Sequence, residues 1–259
     1  MVDFRTVAEN LRESFRVVAG SRNAGEVREL PGVSIASAGA TFQMFNTAFL
    51  SGPVETEAEL ANRVTLAAVH YQVRGFEWAY WLSEDWVSPR ARKRVGRIFD
   101  RYRLRHSVGL PGMAAEDVLP PVRPLPDLEV RRVEPGTTRD AFCAIGSSCF
   151  HVPITWFHEV FDSPAVWSGF RSYVGYARGE AVATAAIVKS EGALGVYNVA
   201  TVPEQRRQGF GESIMRHALA DAQREYGMRR VVLQSTPAGL RLYERMGFQT
   251  VGRVSVYAS

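Results

Sequence analysis

Cysteine is nearly absent from this chain: Cys143 and Cys149 are the only two among 259 residues. Two thiols cannot make the disulfide framework of a small secreted domain, and two small core residues are the simpler reading. The five histidines are scattered without zinc-ligand spacing, so no metal is expected. No apolar run approaches the roughly 18 residues of a membrane-spanning helix, so no membrane partner is expected. The opening stretch MVDFRTVAENLRESFRVVAG lacks a secretory apolar core; Phe4, Val7, Leu11, Phe15 and Val18 instead mark one face of an amphipathic helix. A cytoplasmic protein is the expectation. Nor is there a long block of one charge. The net charge is +4 and the pI about 9.3, but basic residues are interleaved with acids. The densest basic runs are Arg90–Arg94, Arg101–Arg105 and Arg206-Arg207. The first two read as solvated helix faces, so no nucleic acid is expected, while the last would suit an anionic cofactor.

What is present is the stretch Pro203–Gly211, PEQRRQGFG. It follows an apolar segment rich in Val, Tyr and Thr, Leu194–Val202, which reads as a strand. It leads into Glu212–Tyr226, where Phe210, Ile214, Ala218 and Ala222 recur at helical spacing. The glycines therefore sit on a strand-to-helix turn. Such a turn gathers unpaired backbone N–H groups at the positive end of a helix dipole, and glycine lets an anion approach closely. Arg206 and Arg207 border the spot, which looks suited to a phosphate or diphosphate. Neither the GxGxxG spacing of dinucleotide folds nor the GxxxxGK of nucleotide triphosphatases occurs here.

The stretch resembles the R/Q-x-x-G-x-G/A signature of the GNAT superfamily of acyl-CoA-dependent N-acetyltransferases, matched as Arg206, Gly209 and Gly211. Downstream, the strand Arg229–Ser235 and the run Leu242-Tyr243-Glu244-Arg245-Met246-Gly247-Phe248 are similar to the family's Y-x-x-x-G-F element. The resemblance covers roughly residues 128–259, whose expected elements follow the family's order. These are a strand at Leu128–Val133, a helix capped by Thr137 or Thr138, short helices within the aromatic Phe150–Phe170, and a hairpin of Ser172–Ala177 with Ala181–Ser190. A turn at Glu191-Gly192 then leads to the strand, glycine turn, helix, strand, helix and closing strand.

The first half repeats that order loosely. Two strands lie within Val33–Leu50, followed by a helix over Thr56–Val73, an aromatic strand Phe76–Leu82, a basic helix opened by Pro89 and a strand at His106–Leu110. Placing Asn46 on Asn198 brings Gly75 onto Gly227 and Ser83 onto Ser235, although the helical stripes are out of phase and suggest an insertion or deletion in the turn. Pro111, Pro120, Pro121, Pro124 and Pro126 mark an extended linker. The expectation is an α/β protein with mixed central sheets flanked by helices: residues 1–110 a degenerate GNAT-like half, 111–127 a proline-rich linker, and 128–259 the catalytic GNAT domain. Between Leu50 and Leu60 no Arg or Lys stands where a diphosphate would need donors, whereas Glu55, Glu57 and Glu59 would repel it. Only the second half is expected to bind a coenzyme.

The resemblance implies that acetyl-CoA is the cosubstrate, its pantetheine arm pairing with Val199, Ala200, Thr201 and Val202. It implies that the turn Arg207, Gln208, Gly209, Phe210 and Gly211, flanked by Arg206 and Glu212, holds the diphosphate. A strand N–H near Ala200 or Thr201 would polarise the thioester carbonyl. Tyr243 stands at the position of the family's general acid; the plainer reading is a tyrosine packed on its helix. Ser235 or Thr236 replaces a cofactor-contacting Asn, which puts that contact in doubt. The acceptor, a primary amine on a small molecule or peptide, needs a base, for which His151, His158, Glu159 and Glu204 are candidates. A monomer or homodimer is expected. A non-catalytic acyl-CoA sensor or an interaction protein is the alternative.

Overall fold

In a computed structural model, which describes residues 4–190 and 192–259, the amphipathic N-terminal stretch forms helix α1 (Phe4–Gly20). An antiparallel hairpin follows, β1 (Glu26–Leu30) and β2 (Val33–Ser37), and then β3 (Asn46–Leu50). Helix α2 (Glu57–Arg74) begins where Thr56 Oγ1 accepts the Glu59 N–H and ends at left-handed Gly75 (φ 69°). It crosses over to β4 (Ala79–Ser83), which lies parallel to β3. The basic segment breaks into α3 (Pro89–Arg92) and α4 (Val95–Asp100), and β5 (Arg105–Ala115) closes the first half. Of these, β1 has no counterpart in the expected elements. Its sequence EVREL leaves three residues half-buried and two exposed, so it carries little apolar pattern.

The second half follows the expected order: β6 (Glu129–Arg132), α5 (Thr137–Phe150), α6 (Ile154–Phe161), α7 (Val166–Gly169), β7 (Arg171–Ala177) and β8 (Glu180–Lys189). Then come β9 (Leu194–Thr201), α8 (Phe210–Tyr226), β10 (Val231–Gln234), α9 (Leu240–Arg245) and β11 (Gln249–Ala258). Of the turn expected at Glu191-Gly192, residue 191 lies outside the described residues. Thr138 does not cap α5 as expected; its hydroxyl bonds both the N–H and the carbonyl of Glu134 (2.9 and 3.1 Å).

Where separate sheets were expected there is one mixed sheet of eleven strands, ordered β1-β2-β3-β4-β11-β5-β10-β9-β8-β7-β6. The two halves exchange their last strands. β11, from the end of the chain, pairs with β4 of the first half, while β5 pairs with β10 of the second half, and β5 and β11 pair with each other. Strand β5 also runs on through Pro111, the expected start of the linker. A proline in a central strand removes a ladder donor. Here Pro111 faces the end of β10, where its carbonyl still accepts from Ser235 N–H (2.9 Å).

One face of the second half is covered by α8 and α9, whose Ile214, Met215, Ala218 and Tyr243 share a buried cluster with Ala183, Ala185, Ile187 and Leu233. The opposite face is covered by α5, α6 and α7 over Val174, Ala186 and Val188. Helix α1 crosses the seam, packing Phe4, Val7, Ala8 and Leu11 on strands of both halves, Ala36 and Phe49 on one side and Val232 and Val254 on the other. Its buried Asn10 fastens it to the second half. The Asn10 amide donates toward Val188 O (3.1 Å), Ala193 O (3.2 Å) and Ser190 Oγ (2.8 Å), and its oxygen accepts from the Tyr197 hydroxyl (2.7 Å).

Candidate functional site

Strands β9 and β10 run parallel and are paired over Leu194, Gly195 and Val196 opposite Val231, Val232 and Leu233. Beyond Val196 the pairing stops. β9 continues with β8 as far as Thr201, while Gln234 pairs with Gly112 of β5, so a wedge opens between β9 and β10. At its root β9 is bulged. The register with β8 slips between Thr184 and Ala186, Asn198 adopts φ 49°, and Thr184 Oγ1 donates to Asn198 O (2.7 Å). A bulge of this kind re-aims the backbone groups of one strand.

Farther along, Val202 N–H is committed to Val182 O of β8 (3.0 Å). Thr201 faces the other way. Its carbonyl accepts from Arg206 Nε (3.1 Å) and from Cys149 Sγ (3.3 Å), which leaves its N–H on the open side of β9. Thus the four strand residues expected to meet a pantetheine arm are not equivalent, and Val202 has no N–H to offer.

After Val202 a single 3₁₀ turn (Pro203–Gln205) leads into the glycine turn. Arg207 (φ 64°) and Gly209 (φ 100°) are both left-handed, and the first bond within α8 is Ser213 N–H to Gly209 O (2.9 Å). Among the described residues the N–H groups of Arg207, Gln208, Gly209, Phe210, Gly211 and Glu212 donate to no protein acceptor. They run into the first turn of a helix of 17 residues, whose dipole adds positive potential at the same place. A Cβ at Gly211 would stand 3.1 Å from Thr201 Oγ1, so the turn lies directly against the end of β9. The site is a cradle of free amide donors at the mouth of a parted strand pair, the environment an anionic group on an extended arm requires.

The side chains divide differently from the sequence expectation. Arg206 braces the end of β9 through Thr201 O, whereas the Arg207 side chain is exposed. The Glu212 side chain is buried against Arg216 (2.8 and 2.9 Å), leaving only its N–H for the cradle. Ser235 is fully buried and its hydroxyl donates to Thr236 O (2.8 Å), while Thr236 itself is exposed. Tyr243 is buried in the cluster that contains Phe210 and takes in Val199 and Val202, with its ring edge-on to Phe248 (5.9 Å). Burial pushes its phenol up to about 12, so it stays protonated.

Of the candidate bases, Glu159 is drawn toward the first half. Both its oxygens accept from Thr41 N–H (3.1 Å each), and Arg22 lies 3.9 Å away. His158 Nδ1 contacts Asp162 (3.3 Å). His151 is the exposed, left-handed cap of α5, and Glu204 is exposed at the start of the glycine turn. Sequence reasoning missed Cys149, whose thiol meets Thr201. A lone cysteine at the end of an amphipathic helix gives no signal of that contact.

In the first half the equivalent wedge is shut. β3 and β4 part after Phe49 and Trp81, but a parallel bridge rejoins them at Val54 and Val87, with Val54 N–H to Trp86 O at 2.7 Å and Ser88 N–H to Val54 O at 2.9 Å. The turn also holds a cation on its carbonyls: Gly52 O and Pro53 O accept from Arg63 (2.7 and 2.9 Å).

Residues 168–250 match the family profile described as an acetyltransferase (GNAT) domain. No curated protein sequence matches the chain. Among solved structures, a GCN5-related N-acetyltransferase from Kribbella flavida is similar over 97% of this chain and 95% of its own, at 18% identity and a TM-score of 0.71. A protein of unknown function from Staphylococcus epidermidis covers 90% and 92% at 13% identity and a TM-score of 0.63. A GCN5-related N-acetyltransferase from Sphaerobacter thermophilus covers 98% and 93% at 13% identity and a TM-score of 0.58. At these identities the likeness is one of fold, and it extends over both halves. The fold is that of the GNAT superfamily, and the chain carries a GNAT acetyltransferase domain from the start of β7 to the start of β11, which supports an acyltransferase.

Proposed function

We propose that the protein transfers an acetyl group from acetyl-CoA to a primary amine by direct attack of the amine on the thioester, at the wedge between β9 and β10. The observation that carries this reading is the run of six unpartnered amides, Arg207 to Glu212, at the mouth of that wedge. Orphan donors at a helix start call for an anion, and the coenzyme's diphosphate is the anion that would leave its pantetheine arm lying along β9. Arg207 adds an exposed cation. The Thr201 N–H faces the open side, where it can pair with the arm or with the thioester oxygen, and a fixed amide near a developing oxyanion stabilises it without reorganisation. When bound, acetyl-CoA supplies an activated acyl carbon and a thiolate leaving group. Tyr243, kept neutral by burial, is the proton donor for that thiolate.

The proposal includes one active centre per chain, in a catalytic domain of residues 128–259. The first half, a degenerate copy of the same fold, shapes the acceptor side through the contacts of Thr41 and Arg22 with α6. The test is Gly209→Val. At φ 100° a β-branched residue is strained, and its Cβ would meet Pro126 Cδ at 2.9 Å, so the turn must move. Calorimetric affinity for acetyl-CoA should fall by at least about tenfold, the equivalent of roughly 1.4 kcal/mol, and slow thiol release from acetyl-CoA should fall with it. Equal affinity in the two proteins would overturn the assignment of the turn.

A further inference from the structure

The segment from residue 116 to residue 127, between the two halves, is a strap across the proposed coenzyme site. It leaves the end of β5 with Glu116 paired to Arg230 (3.1 Å) and Asp117 to Arg229 (2.5 Å). Leu119 N–H then donates to Met246 O (2.9 Å), and its side chain covers Gly247: a Cβ there would lie 2.8 Å from Leu119 Cγ. At the far end Pro126 closes over Gly209, and the Ser213 hydroxyl contacts Pro126 O (3.4 Å). The strap therefore spans from the Y-x-x-x-G-F turn to the glycine turn. Pro120, Pro121, Pro124 and Pro126 stiffen the crossing, because fixed φ angles leave little conformational freedom to lose.

Arg123 lies on this stiffened stretch. One of its guanidinium nitrogens is 3.8 Å from the position a Cβ would take at Gly209. Arg123 is exposed and has no carboxylate or other hydrogen-bond partner among the described residues; Glu116 and Asp117 of its own strap are paired with other arginines, and Asp127, the third acid there, lies within 4.0 Å of no basic group among the described residues. A cation held beside six free amides, and in no ion pair among the described residues, increases the positive potential at one place.

We infer that Arg123 is a coenzyme-binding residue, supplied to the glycine turn by the strap that ends the first half, and that it pairs with a phosphate group of the acyl-CoA. This rests on the acetyl-CoA reading above. It also gives the first half a task at the site without a second coenzyme: β5 and its strap set where that charge stands.

The experiment is calorimetric titration of the full chain with acetyl-CoA, comparing wild type with Arg123→Ala, Arg123→Glu and Arg123→Lys. A charge-assisted contact in a partly exposed setting should make Arg123→Ala bind about tenfold more weakly. Arg123→Glu should bind more weakly still, and Arg123→Lys should recover part of the loss. Affinity should fall less steeply with salt in Arg123→Ala than in wild type, because a screened ion contact has gone. Melting temperatures should be unchanged, since the side chain has no partner in the protein. A parallel titration with 3′-dephospho-acetyl-CoA separates two supporting outcomes: a loss that disappears marks the 3′-phosphate as the partner, and one that persists marks the diphosphate. If Arg123→Ala and Arg123→Glu bind like wild type while Gly209→Val is weakened, the inference falls and the coenzyme site stands. If wild type binds no acetyl-CoA, both fall.

Discussion

Tyr243 illustrates how one residue can satisfy packing and chemistry together. Its ring fills the cluster shared with Phe210 and Phe248, which suffices to explain an aromatic residue there. Its hydroxyl is the part that packing does not require. With the phenol raised to about 12 by desolvation, transfer to a thiolate of ordinary pKa near 8.5 is uphill, so the assistance belongs at the lower end of the usual range for general acids. Tyr243→Phe should therefore slow turnover about 10²-fold, read first as thiol release from acetyl-CoA. Acetyl-CoA affinity should hold, and stability should change by less than about 1 kcal/mol. An unchanged rate, with thiolate departure shown to limit turnover in part, would reduce Tyr243 to its packing role.

Among the elements, α1 is the one whose sequence announces a helix but not its destination. The apolar stripe Phe4, Val7, Leu11 and Val18 is legible in the chain, whereas the use of Asn10 depends on strands more than 170 residues away. Asn10→Ala would take the acceptor from the Tyr197 hydroxyl and a donor from Val188 O in a buried site, while Ala193 O keeps the Ser190 N–H (3.0 Å). Each orphaned group costs about 1–3 kcal/mol, so urea denaturation should show a loss of about 3 kcal/mol. A loss below about 1 kcal/mol would mean that the apolar face alone holds the helix. The same contrast explains what was legible elsewhere. The glycine turn could be read because glycine and arginine reveal their chemistry at short range, and α8 and α9 because their apolar spacing is regular. The strand exchange could not be read: β11 beside β4 joins residues far apart in the chain, and nothing in Gln249–Ala258 names its neighbour. Proline density misplaced the end of β5, because a proline is tolerated where the adjoining strand stops. Glu159 looked available as a base because its contacts with Thr41 and Arg22 arise only when the halves meet.

At the scale of the molecule, each half contains a parallel strand pair joined by a helix, β3-α2-β4 and β9-α8-β10, and the two pairs end differently. The register that sets Asn46 on Asn198 lays α2 over α8 to within a residue at its start. It also puts Gly75 and Gly227, the left-handed caps of those helices, on one another, and Trp81 on Leu233, but their strand partners Phe49 and Val196 fall out of that register, so the expected insertion lies in the second half between β9 and α8. The difference lies in the wedge. In the second half β9 and β10 stay apart and the turn offers six free amides. In the first half Val54 and Val87 rejoin the strands, Arg63 occupies the carbonyls of the turn, and Thr56 and Glu59 use the amides of Glu59 and Glu55. Three glutamates at that helix start add repulsion toward a diphosphate. A coenzyme entering there would have to break backbone bonds of 2.7 and 2.9 Å and displace an arginine against like charge. Titration of the full chain should therefore saturate at one acetyl-CoA per chain, and Gly209→Val should reduce that single site without revealing another. A second equivalent, seen by calorimetry or by native mass spectrometry of the wild type, would show that the bridge at Val54 opens and that the first half also binds coenzyme.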